Sequence, residues 1–437
     1  MTSTLLQTPS LSRLNSPTIH QSASGLTIIA EQIPVEAVNL SLWLGVGSAL
    51  EPNAINGMAH FLEHMVFKGT ARLQSGEFER LVEERGAMTN AATSQDYTHF
   101  YITAAPHDFA DLAPLQIDVV LNPDIPDAAF ERERSVVLEE IRRAEDNPRR
   151  RTFQRAVEVA FERSPYRRPV LGPAAVIAQL TPEQMREFHA TWYRPPAMTA
   201  VAVGNLPVPD LIEIVEEGLD RAQSHQSQRL NLPLPTLELP DNAPEPAFTQ
   251  VVRQEFVDES LQQARLIMAW RVPGLANLNQ TYALDVLASI LGYGRTARLV
   301  RDLREERGLV SAISASNMTY AQQGTFYISA QLPAENVPAV ESAILTHLQT
   351  LQTDLVSDLE VSRVQTQVAN RFVFGNEMPS DRASLYGYYQ TLVADLTPAF
   401  HYPAHIQALT ATDLQIAAQQ HLSPEAYGIV VIKPGTP

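Results

Sequence analysis

The sequence predicts an α+β fold of two homologous domains, each a mainly antiparallel sheet with helices packed on one face. Three observations carry this. The first is an internal repeat. Residues 82–104 read "VEERGAMTNAATSQDYTHFYITA" and residues 304–330 read "REERGLVSAISASNMTYAQQGTFYISA". Both open on a charged helix end, Glu-Glu-Arg-Gly, and close on a strand, Phe-Tyr-Ile followed by Thr or Ser and Ala. The offset grows from 222 at the start to 226 at the close, so a longer turn is expected in the second copy. A repeat this long is a whole domain, not a solenoid unit. The second observation is a change of composition: residues 224–248 carry Pro233, Pro235, Pro240, Pro244 and Pro246. Proline at that density favours extended backbone and reads as a surface linker. The expected domains are therefore 1–228 and 248–437, joined by 229–247. The third is the order of elements, strand pairs close in sequence with helices grouped between them.

Along the first half, residues 26–30, 38–46, 98–104 and 199–203 have the β-branched and aromatic content of strands. A 3.6-residue apolar period predicts helices over 57–68, 76–85, 129–145, 152–162 and 182–192. The second half repeats the pattern, with helices over 279–291, 295–307, 337–353 and 358–375.

Composition excludes several function classes. The chain has 437 residues, enough for two to four domains, and its 45% apolar and 19% charged content is that of a globular protein. With 32 Lys+Arg against 49 Asp+Glu the formal net charge is −17, which gives no basic face for nucleic acid. Solubility accounts for that charge, and attraction of basic peptides is the alternative. Cysteine is absent, which removes disulfides, cysteine zinc sites, iron–sulfur clusters and thiol catalysis, and suits a reducing cytosol. No apolar run approaches the ~20 residues of a membrane span. The first 16 residues lack the basic start and apolar core of a secretory signal. They contain one Arg, Arg13, and no acid, so a frayed tail is expected and a short organellar presequence is the alternative. The expected location is cytoplasmic, with an organelle matrix or stroma as the alternative.

The sharpest chemical signal lies in "NGMAHFLEHMVFKGT". At 100° per residue His60, Glu63 and His64 fall within about 100° of arc on one helix face. Two imidazoles one turn apart can chelate zinc, and the carboxylate between them can serve as base for a water: the inverted zinc-protease spacing His-x-x-Glu-His. The plain alternative is a pair of surface or capping histidines. Phe61, Leu62, Met65, Val66 and Phe67 surround the motif, so the helix must pack while holding two ionisable rings, and packed imidazoles need partners. A catalytic zinc wants three protein ligands and an open position. The segment "FERERSVVLEEIRRAEDNP" offers Glu133, Glu139 and Glu140 beside an apolar stripe of Val136, Val137 and Ile141. Glu133 and Glu140 share a face and Glu139 is rotated by about 100°, but spacing alone does not choose among them.

Together with "NAATSQDYTHFY" and "YGRTARLVRDLREERGL", these segments resemble the pitrilysin-type (inverzincin) zinc metallopeptidases, most closely the mitochondrial-processing-peptidase-like subgroup. The resemblance covers nearly the whole chain. It implies that His60, His64 and Glu140 bind one zinc ion per chain, with Glu63 as general base and Glu133 supporting the site. It also implies that Asn90 and Ala91 lie on the strand edge that receives substrate backbone, and that Arg304 binds substrate. The activity implied is hydrolysis of peptides or unfolded protein segments in a chamber formed by two subunits. A presequence peptidase with a narrow cleavage rule and a non-catalytic core subunit are the rival readings.

Under the repeat offset, Tyr282, Asp285 and Val286 stand where the first half has His60, Glu63 and His64, so the second domain is expected to bind no metal. The family pairs its Arg with a Tyr seven residues later, and that position is Ser311. This departure implies a heterodimer with a homologous, metal-free subunit, against a homodimer that tolerates Ser311 or uses Tyr320. The Gly292-Tyr293-Gly294-x-x-Ala297 run follows a helix-like segment and is read as a helix–helix turn, not a dinucleotide loop. The basic run from Arg142 to Arg168 is read as a solvated, charge-balancing face, with peptide steering as the alternative.

Overall fold

A computed structural model describes residues 16–224 and 240–435. The N-terminal tail before Ser16, and Pro233 and Pro235 of the expected linker, lie outside the described residues. Six strands form the first sheet: β1 (Thr18–Gln21), β2 (Thr27–Gln32), β3 (Val38–Leu44), β4 (Met88–Thr93), β5 (Thr98–Ala104) and β6 (Met198–Gly204). Five form the second: β7 (Val252–Asp258), β8 (Ala264–Pro273), β9 (Ala312–Thr319), β10 (Gln323–Leu332) and β11 (Gly428–Pro434). The orders are β1-β2-β6-β3-β5-β4 and β7-β11-β8-β10-β9. With β1 set aside the two orders match strand for strand. Each sheet holds a single parallel pair in the same place, β2 with β6 and β11 with β7, and its other pairs are antiparallel. The repeat read from 82–104 and 304–330 is therefore a repeat of topology, and the fold is α+β as expected. The extra residues of the second copy are not in the hairpin turn; they lengthen the connection before β9 and β9 itself.

Strand patterns follow from which faces are covered. β3 and β6 are buried at every position. Ile28, Leu40, Leu42, Phe100, Ala200 and Ala202 face helices Pro106–Leu121 and Val208–Ser224 of their own half. Their neighbours one residue along point to the other face, where Ile29, Trp43, Val201 and Val203 meet Ala383, Tyr386 and Tyr389 of helix Pro379–Val393, an element of the second half. The exchange is mutual. Helix Pro148–Ala160 of the first half lays Ala156 and Val159 on Ile267, Val430 and Ile432 of the second sheet. Each large apolar side chain covered this way contributes about 1.5–3 kcal/mol. The expectation of helices on one face thus gains a second layer that each half receives from the other.

Polar contacts reinforce the exchange. Glu31, buried in β2, accepts from Tyr386 Oη and Arg382, each at 2.8 Å. Asp96, in the β4–β5 turn, accepts from Tyr166 Oη and from the Ala321 N–H of the β9–β10 turn, each at 2.8 Å. The described end of the proline-rich segment is irregular and largely exposed, yet Glu245 is buried and accepts from the backbone N–H groups of Arg163 and Ser164 at 2.7 Å.

Several local expectations shift. The helix expected over 295–307 begins after the Tyr293–Gly294 turn and becomes π-helical over Val300–Glu306. Gly292, Tyr293 and Gly294 follow helix Tyr282–Gly292 rather than a strand, as a helix–helix turn requires. Val136 is 50% exposed, being a residue off the buried line of Phe130, Val137 and Ile141. Among the described residues no helix is long and apolar enough to cross a membrane.

Gly387 sits against the Trp43 indole, where an added Cβ would lie 2.2 Å from Nε1. Gly387→Val is expected to lower stability by about 1–3 kcal/mol, through overpacking of the exchanged helix. Urea unfolding followed by tryptophan fluorescence checks this; an unchanged midpoint would show that the helix does not cover the sheet as described.

Candidate metal centre

The histidine helix, Met58–Met65, buries Met58, Phe61, Leu62 and Met65 and continues as a 3₁₀ turn over Val66–Lys68. Gly69, at φ 113°, ends it directly after the 57–68 span expected for the helix. Its start is built by Glu51. One carboxylate oxygen accepts from Gly57 N at 2.7 Å and Asn56 Nδ2 at 2.8 Å, and the other from Ala59 N at 2.7 Å. Two of the first-turn N–H groups are thereby satisfied by a buried anion that also complements the helix dipole. Gly57 has φ 97°, and a Cβ there would meet Leu171 O at 2.6 Å, so only glycine lets this turn close against the 171–172 loop.

The acidic helix, Asp127–Asp146, lies beside it. Phe61 of one stacks on Phe130 of the other, ring centroids 4.5 Å apart. This contact brings Glu140 to the two imidazoles. His60 Nε2 lies 3.5 Å and His64 Nε2 3.6 Å from Glu140 Oε2. Among the described residues these three form the one cluster of His, Asp or Glu close enough to share an ion. The distances are too long for good hydrogen bonds. They match the edges of a tetrahedron, since donors at about 2.0–2.1 Å from zinc stand about 3.4 Å apart. Burial and the neighbouring His64 push the His60 imidazole down to about 3, so that ring is neutral and its lone pair free to bind. Glu139, left open as a ligand by spacing, turns outward to Arg142 at 2.8 Å and Arg143 at 3.0 Å.

Glu133 does not join the cluster but orients it. Its Oε1 accepts from His64 Nδ1 at 2.9 Å and its Oε2 pairs with Lys68 Nζ at 2.8 Å. A proton held on Nδ1 leaves Nε2 as the free lone pair facing Glu140. Burial alone would raise the Glu133 carboxyl; the bonds from Lys68 and His64 outweigh it and hold the group below the ordinary range. Glu63 accepts from the Thr93 hydroxyl at the end of β4. Burial raises its carboxyl, and the charge of Glu140 adds to that, against the pull of Thr93 and His64. Glu63, Glu133 and Glu140 stand around the two imidazoles, Glu79 lines the same cleft, and Lys68 is the cation paired there. A divalent ion would offset this excess of negative charge, so donor set, spacing and sign of charge all fit zinc.

Asn90 and Ala91 lie on β4, the free edge of the first sheet. The Ala91 N–H donates to the Asn90 side-chain Oδ1 at 2.9 Å. Both residues line a cleft of about 310 Å³ with Glu63, His64, Phe67 and Lys68. Arg304 is not in that cleft, whose lining comes wholly from the first half; it pairs with its neighbour Glu305 at 2.6 Å. Ser311 is exposed and donates to Gln331 O and Gln263. Tyr320 is buried, stacked on Tyr166 with centroids 4.5 Å apart. In the second half Val286 is fully buried and Tyr282 stacks on His405. Asp285 is bound by Asn317 Nδ2 at 2.8 Å and Tyr402 Oη at 3.0 Å.

Sequence reading passed over Glu51, Lys68 and Thr93. Lys68 stands one turn after His64 on the same face, which could have marked it as a partner for Glu133. Thr93 ends a segment, Asn-Ala-Ala-Thr, already singled out. Glu51 carried no signal, because it caps from a loop six residues ahead of the helix.

Two protein-family models match the chain in succession. "Insulinase (Peptidase family M16)" matches residues 26–174 and "Peptidase M16 inactive domain" residues 179–368. An uncharacterized zinc protease of Mycobacterium tuberculosis is 28% identical over 411 residues, covering 94% of this chain and 91% of the relative. The zinc protease PqqE of Helicobacter pylori is 25% identical over 417 residues, covering 94% and 91%. Among solved structures, a protease from Helicobacter pylori has a TM-score of 0.88 at 24% identity, covering 96% of this chain and all of that one. A peptidase M16 inactive domain from Pseudomonas fluorescens has a TM-score of 0.84 at 21% identity, covering 97% and 99%. These two likenesses show the fold.

Removing the charge that orients His64 should weaken metal binding without unfolding the chain. Glu133→Gln is expected to lower zinc affinity by about 10- to 100-fold, measured by competition with a chromophoric chelator. Unchanged affinity would mean that Glu133 does not set the His64 tautomer.

Proposed function

Because the chain belongs to peptidase family M16, we propose that it is a zinc-dependent endopeptidase that cuts peptides or unfolded protein segments in a chamber closed by a second subunit. The observation that carries this is the convergence of His60, His64 and Glu140 beside Glu63 and a free sheet edge. One zinc ion per chain is the expected complement. When bound, zinc supplies a Lewis acid that polarises the scissile carbonyl.

The residues divide the remaining work. His60 and His64 offer neutral Nε2 lone pairs and Glu140 a carboxylate oxygen. Glu133, kept ionised by Lys68, holds His64 in the binding tautomer. Glu63 takes the proton of the attacking water and hands it to the leaving amine, and Thr93 keeps that carboxylate aimed along the edge of β4. A substrate in extended form adds to β4 by main-chain hydrogen bonds, which suits varied sequences. To receive it, Asn90 releases the Ala91 N–H that it now holds.

The second subunit is proposed from what the chain lacks. Ser311 replaces the tyrosine expected seven residues after Arg304, and Tyr320 is packed inside, its hydroxyl on Met318 Sδ. A homologous, metal-free partner would complete the site.

Elemental analysis together with Glu63→Gln tests the chemistry. The variant should keep one equivalent of zinc and lose turnover of an unfolded peptide by about 10²–10⁴-fold. Zinc-loaded Glu63→Gln with wild-type turnover would falsify Glu63 as the base. For the second subunit, the isolated chain should cleave weakly and gain activity when a metal-free homologue is added. Full activity from a pure homo-oligomer would sink the heteromeric reading.

A further inference from the structure

The basic run from Arg142 to Arg168 is more than a solvated face. Four of its arginines, Arg150, Arg151, Arg155 and Arg168, line a cleft of about 750 Å³ with Ile141 and Val157 among its apolar walls. A mostly apolar hollow of that size with a few charged groups is the usual form of a specific binding pocket. Its position ties it to the metal centre. Ile141 follows Glu140, and Ala144 lies one helical turn beyond it, about 5.4 Å along the axis. Gln95, also in the lining, is two residues past Thr93, the residue that binds Glu63.

Direction follows from the sheet. A strand added antiparallel to β4 runs from the Thr93 end toward Met88, so its amino-terminal part lies at the Thr93 end, two residues from Gln95 of the lining. The charges in the cleft are unequal. Arg151 is neutralised by Asp258, and Arg155 by Glu158 at 3.0 Å. Arg168 donates to Glu51 O, Ser48 O and Asn53 Oδ1, and the Glu51 carboxylate offsets its charge. Arg150 is exposed and its guanidinium has no ion pair or side-chain hydrogen bond among the described residues. Arg150 is therefore the cation of this lining without a partner among the described residues, and Glu145 is a lining acid that also has no ion pair among them.

We propose that this cleft receives an acidic side chain of the peptide substrate on the amino-terminal side of the scissile bond, and that Arg150 is the residue that selects it. The proposal rests on the peptidase reading and narrows its substrate class. The chain as a whole is acidic and would repel such peptides, so the selection must be local. A single, partly exposed ion pair changes affinity modestly, and salt weakens it.

The test uses the zinc-loaded, full-length Glu63→Gln chain, which binds without turnover. Fluorescence anisotropy compares labelled peptides in which one Glu is placed at successive positions, each against its Gln counterpart. At one position Glu should tighten binding about fivefold at low salt, and Arg150→Glu should invert that preference in favour of Lys. A peptide-library digest with the wild-type chain and its partner subunit should show acidic residues enriched on the amino-terminal side of the cuts. Equal binding of Glu and Gln peptides overturns the proposal while leaving the peptidase reading intact. So does a Glu preference that survives Arg150→Glu, or acidic enrichment confined to the carboxyl-terminal side. Failure of every peptide to bind, with zinc measured in the site and a metal-free homologue added, removes the peptidase reading beneath it.

Discussion

Three donor atoms from two helices far apart in sequence must stand within about half an ångström of the right spacing for one ion to hold them. No local rule brings Glu140 to His60 and His64; packing does. The Phe61–Phe130 stack sets how closely the helices approach, worth about 1 kcal/mol beyond the area it buries. Glu51 fixes where the histidine helix begins, and Gly69 where its last turn ends. The Lys68–Glu133–His64 chain fixes the ring that burial leaves free to turn. Without a cation the same arrangement crowds the carboxyls of Glu63, Glu79, Glu133 and Glu140 around a single lysine. A metal therefore relieves an electrostatic strain that the packing imposes, and its binding and the fold of this region are coupled.

The sheet that carries β4 depends on the other half of the chain. Its second face is apolar, and Ile29, Trp43, Val201 and Val203 would meet water if helix Pro379–Val393 left. The second sheet makes the same demand on helix Pro148–Ala160. That helix follows the acidic helix with only Asn147 between them, so Glu140, a candidate ligand, and the cover of the opposite sheet belong to one continuous structure. Separating the halves would expose both sheets and disturb the ligand helix together. This explains why a proline-rich connection does not leave the halves independent: exchanged helices, Asp96 and Glu31 join them, and the connection itself is pinned to both through Glu245.

Local signals were legible and long-range ones were not. The His60, Glu63 and His64 face, the Gly69 stop and most strand positions follow from one-turn or two-residue periods, which a sequence displays directly. Glu140 could not be chosen over Glu139 by spacing, because both flank the same apolar line; only the family resemblance separated them. Val136 was placed in the stripe because three apolar residues in a row blur a 3.6 period. Helix Pro379–Val393 escaped notice for a related reason. It lies between layers, and its mixed tyrosines and polar residues show no clean stripe. Glu51 is illegible in principle, since its role depends on a loop returning to a helix start. The insertion in the repeat was misplaced because matching ends say nothing about where between them a strand lengthens.

The second half shows what the site becomes when its metal ligands are gone. Asp285 keeps the carboxylate that corresponds to Glu63, but where Glu63 has an open cleft beside it, Asp285 is sealed by Asn317 and Tyr402. Burial pushes it up to about 6, toward a neutral group that serves packing. Val286 and Tyr282, in place of the histidines, fill the space an ion would need. The second half therefore cannot act through that centre, and any contribution to substrate binding has to come from its surface. Arg304 has the required freedom. Its partner Glu305 is adjacent in sequence and shared with Arg295, and exposed pairs of this kind hold by about 0–1 kcal/mol. Its guanidinium is therefore held by a local surface pair rather than by packing, unlike the sealed Asp285 behind it.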